Sequence, residues 1–170
     1  MLREGVPHAT IANRQDTQKA AAPAVAGGPH RYTGAEPGIF EAIFRALDAE
    51  TAALIGHAAP EPLVIPLRDN GGAVVGGFWG CTLFRWLSVQ MLFVPAPLRG
   101  QRLGSALLAE AENEARARDC LGSRVEAFDF QASAFYEKSG YRRFGVLPDF
   151  PPGHAQVYLA KPLAVPTPSP

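Results

Sequence analysis

"PLRGQRLGSALL" (residues 97–108) contains two glycines and two arginines within six residues, and leucine and alanine typical of a helix follow. The N-terminus of a helix exposes backbone N–H groups without intrahelical partners and carries partial positive charge, so it attracts an anion. Gly100 and Gly104 let a ligand approach the backbone closely, and Arg99 and Arg102 add positive charge at the same place. The stretch is consistent with two structures: a turn that binds a phosphate or pyrophosphate, or a tight turn that lets the helix pack on a sheet.

Size and charge exclude several classes of protein. The chain has 170 residues, of which 47% are hydrophobic and 19% charged, as in a globular domain with a core. Its formal net charge is zero, which argues against nucleic-acid binding, because contact with phosphates requires clustered Lys and Arg. The sequence has neither a membrane-spanning apolar run nor a secretory signal, so we expect a cytoplasmic protein without a membrane partner. The four histidines lack the spacing of metal ligands, and no metal site is expected.

The hydrophobic pattern predicts the order helix, three strands, helix, strand, helix, two strands. Apolar residues recur at helical spacing from Phe40 to Ile55, which predicts an amphipathic helix with one stripe facing the core. "PLVIPLR" (62–68) predicts an edge or bulged strand, because Pro66 cannot donate a ladder hydrogen bond. "DNGG" (69–72) predicts a hairpin turn. The other predicted elements are strands at 73–80 and 83–94, a helix at 101–118, a strand at 123–130, a helix at 132–140 and strands at 141–147 and 155–163.

This order mixes hairpins with crossovers and so predicts an α/β fold with both parallel and antiparallel strand pairs. In the helix at 101–118, Glu112 lies away from the apolar stripe, and we expect it outside the core. Trp79, Phe84 and Trp86 cluster on the hairpin strands, which favours core packing over a ligand cage. The stripe itself contains Gly104, Leu107, Leu108, Ala111 and Ala115.

The two ends of the chain differ from its centre. Residues 1–35 are rich in Ala, Gly, Pro and polar residues without sustained periodicity, which predicts a flexible N-terminal segment. The proline-rich end predicts an irregular tail at 164–170. Residues 36–163 are left as the folded domain.

Two motifs together resemble one family. "FVPAPLRGQRLGSALL" (93–108) resembles the acetyl-CoA signature of the GNAT superfamily of N-acyltransferases, a strand, an [RQ]-x-x-G-x-[GA] turn and a helix. "FYEKSGY" (135–141) resembles the second motif of that superfamily, and the element order is similar over residues 37–163. The resemblance, closest to small stand-alone bacterial members, implies a mixed, mainly antiparallel central sheet with a splayed pair of strands, flanked by helices.

The resemblance also implies acetyl-CoA as co-substrate. The pyrophosphate would lie on the backbone N–H groups of Arg99 to Ser105, and the pantetheine arm alongside the strand that ends at Val94. A backbone N–H near Leu92 or Phe93 would polarise the acetyl carbonyl as a small oxyanion hole. The cofactor-binding residues implied in this way are Leu92, Phe93, Val94, Arg99, Gly100, Gln101, Arg102, Leu103, Gly104, Ser105, Ser133 and Tyr136.

For catalysis, the resemblance implies direct attack of an amine on the thioester, between the strands at 85–94 and 123–130, which a bulge splays apart. Tyr136 aligns with the tyrosine that protonates the departing thiolate, although a groove or core tyrosine is the alternative. Glu126 is a candidate general base if it faces the gap; it shares a strand face with Phe128. A solvated edge residue, or a water chain in place of a base, is equally consistent with the sequence.

The expected acceptor is a primary amine of a small molecule. "LPDFPPGHA" (147–155) is a loop between the last strands, and Asp149 and His154 are candidate contacts to that amine. The alternative is a rigid turn in which Asp149 caps backbone N–H groups. Family resemblance also makes a homodimer possible, without a distinct interface patch in this sequence.

Two positions depart from the family pattern. Arg102 replaces the first glycine of the turn, and Asp129 stands where many members have an asparagine that contacts the cofactor. These departures support the alternative of a catalytically degenerate acyl-CoA-binding regulatory module, whereas the retained Tyr136 and turn favour an enzyme. An unrelated nucleotide-binding fold would leave "FYEKSGY" unexplained.

Overall fold

The computed structural model describes residues 38–163. The chain divides into two units, Met1–Ile43 and Phe44–Pro170. Of the first unit only the opening of a helix is described, and the sheet lies wholly in the second. The segments expected at 1–35 and 164–170 lie outside the described residues. The elements are α1 (Ile39–Ile55), β1 (Glu61–Arg68), β2 (Val74–Leu83), β3 (Trp86–Phe93), α2 (Leu103–Ala117), β4 (Gly122–Phe128), α3 (Ser133–Lys138), β5 (Arg142–Pro148) and β6 (Ala155–Pro162).

The strands form one six-stranded sheet in the order β1-β2-β3-β4-β6-β5. Every neighbouring pair is antiparallel except β3 and β4, which run parallel because α2 connects them as a crossover. The predicted mixed, mainly antiparallel α/β fold is therefore confirmed. β1 is an edge strand, as Pro66 predicted, and its register shifts between Leu67 and Arg68.

Of the two hairpin turns that join β1 to β2 and β2 to β3, the sequence predicted only the first. The turn at 69–72 forms as predicted, and Asp69 Oδ1 accepts hydrogen bonds from the N–H groups of Gly71 and Ala73, both at 2.9 Å. A second turn separates β2 from β3, so the strand predicted to begin at residue 83 instead begins at Trp86. Phe84 and Arg85 adopt φ of 49° and 61° there, a conformation usually taken by Gly, Asn or Asp. The residue types therefore carried no turn signal.

The core lies between α2 and one face of the sheet. The apolar stripe predicted for α2 is confirmed from Leu107 to Ala115, and it packs on β1, β2 and β3. Glu112 was expected outside the core, but the structure buries it, with only 4% of its surface exposed. The residues that form this core include Leu63, Phe78, Leu87, Val89, Leu107, Leu108, Ala111, Ala115, Val125, Val157 and Leu159.

Two expectations about burial are wrong. α1 forms at the predicted place, but none of its residues is buried. Helical periodicity reports which residues share a face and does not report whether that face is covered. Trp79, Phe84 and Trp86 are each more than a third exposed and are not core residues. No helix within residues 38–163 is long and apolar enough to cross a membrane.

Candidate active site

The turn before α2 presents a row of free backbone donors. The N–H groups of residues 100–105 donate no hydrogen bond within the part of the chain that the structure describes, and the first N–H of the helical ladder is that of Ala106, to Arg102 O at 3.0 Å. Gly100 and Arg102 have φ of 79° and 60°, and these left-handed conformations turn successive N–H groups outward. Free donors at the positive end of a helix suit a pyrophosphate, so the residues present fit an acyl-CoA.

Arg99 is used differently from the residues that follow it. Its N–H donates to Ala96 O at 3.2 Å, closing a short 3-10 turn, and its Nε donates to Val94 O at 3.0 Å. The free donors therefore begin at Gly100 and not at Arg99, which corrects the expected range by one residue. Arg99 instead attaches the turn to the end of the preceding strand.

A bulge opens the sheet beside this turn. Trp79 pairs with Met91 and Gly80 with Val89, which leaves Gln90 as an extra residue in β3. β3 and β4 pair only as far as Val89 and Val125. Beyond these residues the two strands diverge, as the family resemblance implied.

A groove of about 1010 Å³ follows this opening, between the α2 turn and α3. The predicted residues Leu92, Phe93, Val94, Arg99, Gly100, Arg102, Leu103, Gly104, Ser105, Glu126 and Tyr136 line it; Gln101 and Ser133 do not. The groove is also lined by residues that the sequence did not indicate, namely Gln90, Met91, Leu98, Val125, Ala127, Phe130, Gln131, Ala132 and Phe135. Most of these are apolar or small side chains without a chemical signature, and tertiary structure alone brings them together.

Tyr136 lies in the wall of the groove and is only 6% exposed. Its ring packs edge-on against Phe135 and Tyr141, with ring centroids 5.2 and 5.5 Å apart. Burial raises the pKa of Tyr136 to about 12, because an apolar environment disfavours the phenolate. The hydroxyl therefore keeps its proton throughout the physiological range and can act as a donor.

Glu126 is the first residue of β4 beyond the last β3–β4 pair. Its side chain points away from α2, on the face shared with Arg124 and Phe128, as strand alternation predicted. It lines the groove and also a second, polar pocket of about 370 Å³. That pocket contains Ser88, Gln90, Arg124 and Gln156 as its other polar residues. Glu126 consequently lies, together with Gln90 and Val125, where the groove and the pocket meet.

The candidate acceptor contacts Asp149 and His154 do not line the groove. Asp149 Oδ1 accepts the N–H of Gly153 at 2.8 Å, so it caps a turn of its own loop. His154 Nδ1 lies 3.1 Å from Asp129 Oδ1, and its ring packs edge-on against Phe130 at 4.7 Å. The Asp129 carboxylate therefore fastens this loop to the end of β4.

The splayed sheet, the turn of free donors and the buried tyrosine define an acyl-CoA-dependent transferase. Residues 63–143 match the acetyltransferase (GNAT) domain family. Blasticidin-S acetyltransferase of Streptomyces morookaense is 47% identical over 95 residues, which cover 54% of this chain and 68% of the relative. An acetyltransferase of Agrobacterium fabrum is 37% identical over 121 residues, covering 71% of this chain and 88% of the relative.

A solved structure agrees with these sequence relatives. The crystal structure of an acetyltransferase from Agrobacterium tumefaciens is 34% identical, covers 80% of this chain and 99% of its own, and has a TM-score of 0.75. The chain belongs to the GNAT superfamily of acetyltransferases. It is an N-acetyltransferase, and its acetyl donor is acetyl-CoA.

Proposed function

We propose that the chain transfers the acetyl group of acetyl-CoA to a primary amine of a small molecule, by direct attack in a ternary complex. The observation that carries this proposal is the meeting of the groove and the polar pocket at Glu126. A donor in the groove and an amine in the pocket reach the same point of the splayed sheet, and such proximity is a large part of catalysis.

On the donor side, the free N–H groups of Gly100 to Ser105 bind the pyrophosphate, and Arg102 adds positive charge. β3 accompanies the pantetheine arm as far as the bulge. A backbone N–H near Leu92 or Phe93 then polarises the acetyl carbonyl. The free donors and the groove lining support this orientation.

On the acceptor side, Glu126 removes one proton from the attacking amine, directly or through a water molecule. The N–C bond forms and the C–S bond of the thioester breaks. Tyr136 donates a hydrogen bond to the departing sulfur and stabilises the thiolate. A thiol has an ordinary pKa of about 8.5, well below the pKa of about 12 for Tyr136, so the phenol keeps its proton and the thiolate takes its proton from water. Glu126 passes the proton of the amine to solvent, so that one proton in total moves from nitrogen to sulfur.

The polar pocket favours a small acceptor. Its charged side chains are one carboxylate, Glu126, and one guanidinium, Arg124, which lie 3.5 Å apart. A polycation would require several carboxylates, and this pocket does not offer them. Because a relative 47% identical over 95 residues is a blasticidin-S acetyltransferase, blasticidin S is the first acceptor to test.

The experiment is calorimetric titration with acetyl-CoA, followed by thiol release with blasticidin S, kanamycin, spermidine and free amino acids, and mass spectrometry of the product. We expect binding, and release with at least one amine whose mass increases by one acetyl group. Binding without release from any amine would instead support a regulatory acyl-CoA-binding module. Absence of binding would contradict the pyrophosphate site.

A further inference from the structure

Two side chains of β6 form a directed chain of hydrogen bonds that ends on Glu126. The Tyr158 hydroxyl donates to Gln156 Oε1 at 3.0 Å, and Gln156 Nε2 donates to Glu126 Oε2 at 3.2 Å. A carboxylate can only accept, so the NH₂ group of Gln156 must face Glu126 and its oxygen must face the phenol. Each bond thus orients the next one, and the amide has a single consistent orientation.

The strand register explains how these residues meet. Glu126 is paired with Tyr158, and Phe128 with Gln156, across the antiparallel β4–β6 ladder. Gln156 therefore reaches Glu126 along the diagonal, from the side of the sheet opening. On the other side of Glu126, β3 has already diverged after Val89. β6 is consequently the strand that supports the carboxylate at the opening.

A competing contact shows what Gln156 prevents. Arg124 Nη1 lies 3.5 Å from Glu126 Oε1, and Arg124 stands over the closed part of the sheet, where it is paired with Ser88. The two carboxylate oxygens thus have different partners, one toward the closed sheet and one toward β6. Glu126 is half-exposed and its side chain has several rotatable bonds, so the carboxylate can adopt other positions. If Gln156 were removed, the contact with Arg124 alone would draw the carboxylate away from the opening.

We propose that Gln156 is a positioning residue for acetyl transfer, which holds the Glu126 carboxylate at the junction of groove and pocket, and that Tyr158 orients Gln156 in turn. This inference rests on the proposed function, in which Glu126 takes the proton of the amine. Gln156 acts through Glu126 and need not contact either substrate.

A double-mutant cycle tests the relay, by which we mean the hydrogen-bond chain from Tyr158 through Gln156 to Glu126. The acceptor is blasticidin S or the best amine of the panel. We expect Glu126→Gln to lower kcat about 100-fold, the scale of a lost general base. Gln156→Leu should lower kcat about tenfold, with the Kd of acetyl-CoA unchanged, because a misplaced base costs less than a missing one. In the Glu126→Gln background, Gln156→Leu should change kcat less than about twofold, because the group it positions is already gone.

Two further variants test whether the loss of kcat comes from the hydrogen-bond chain and not from any change in the sheet. Tyr158→Phe removes the first hydrogen bond and keeps the ring packed near Phe144, so it should lower kcat in the same direction and by less. Arg142→Leu, an exposed residue of the edge strand without a hydrogen bond to Glu126, is the matched control and should leave kcat unchanged. Thermal melting of each variant verifies folding.

The outcomes separate the relay from the proposed function. A loss from Gln156→Leu that persists in the Glu126→Gln background overturns the positioning role and makes Gln156 an independent contact. An unchanged kcat in Glu126→Gln overturns the relay while acetyl transfer stands. Absence of acetylation of every amine by the unaltered chain overturns the proposed function itself, and the relay with it.

Discussion

Lys161 Nζ lies 2.6 Å from Glu112 Oε2, and this ion pair connects β6 to α2. The Glu112 side chain is 5% exposed, and its Oε1 has no hydrogen-bond partner among the described residues. Arg116 Nη2 approaches the same Oε2 at 3.4 Å. A carboxylate this deeply buried depends on its cation, because an unpaired charge in the interior is strongly destabilising.

We expect Lys161→Met to lower the free energy of unfolding by about 3 kcal/mol, since it leaves the Glu112 charge buried with only the weaker Arg116 contact. Urea unfolding measures the change. The double variant Glu112→Gln with Lys161→Met removes both charges and should recover most of the loss. Equal destabilisation of the single and double variants would contradict this account of the pair.

Arg102→Gly should separate affinity from stability. Arg102 has a φ of 60°, a conformation that costs a residue with a Cβ about 1 kcal/mol and glycine nothing. The greater freedom of glycine in the unfolded chain offsets part of that gain, so stability should remain within about 0.5 kcal/mol. Loss of the guanidinium should weaken acetyl-CoA binding about fivefold and reduce its dependence on salt. Calorimetry at two ionic strengths measures both effects, and unchanged binding would remove Arg102 from the site.

Tyr136→Phe should lower kcat about 100-fold and leave the Kd of acetyl-CoA within about twofold, because the ring still fills the groove wall and only the donor is lost. Since the pKa of Tyr136 is raised to about 12, ionisation of this residue should produce no basic limb in the rate profile of the unaltered enzyme at neutral or mildly alkaline pH. Loss of acetyl-CoA binding in the variant would make Tyr136 a structural residue.

The same raised pKa predicts how stability depends on alkaline pH. The folded state favours the protonated phenol, so this contribution is complete below the unfolded pKa of about 10 and is lost as the pH rises toward the folded value of about 12. The corresponding contribution of Tyr136 to the free energy of unfolding is about 3 kcal/mol, at about 1.4 kcal/mol for each pKa unit. Burial also raises the pKa of Tyr141, which adds a second contribution of the same sign. Tyr136→Phe should flatten part of this decline in urea unfolding measured from neutral to alkaline pH.

Some site residues could be recognised from the sequence because their chemistry is local. The turn of Gly100 and Arg102 adjoins the helix whose N-terminus it exposes, and strand alternation alone put Glu126 and Phe128 on one face. The polar groups of Asp149 and His154 suggest acceptor binding. In the structure Asp149 accepts a hydrogen bond within its own loop and His154 lies against Asp129, just after β4, so contact of either residue with the acceptor stays a prediction. The role of Tyr136, the homodimer and the identity of the acceptor stay predictions.

Local sequence was sufficient for the helix N-terminus, for the hydrophobic faces and for the family, since each depends on residues close together in the chain. Tertiary structure decided the rest. It brought Gln156 to Glu126 and Lys161 to Glu112, pairs separated by 30 and 49 residues. It also left the apolar stripe of α1 exposed to solvent. The physical reason is that strand register and the packing of α2 on the sheet, and not residue spacing, determine which distant side chains become neighbours, so Gln156 in another register would meet a different partner.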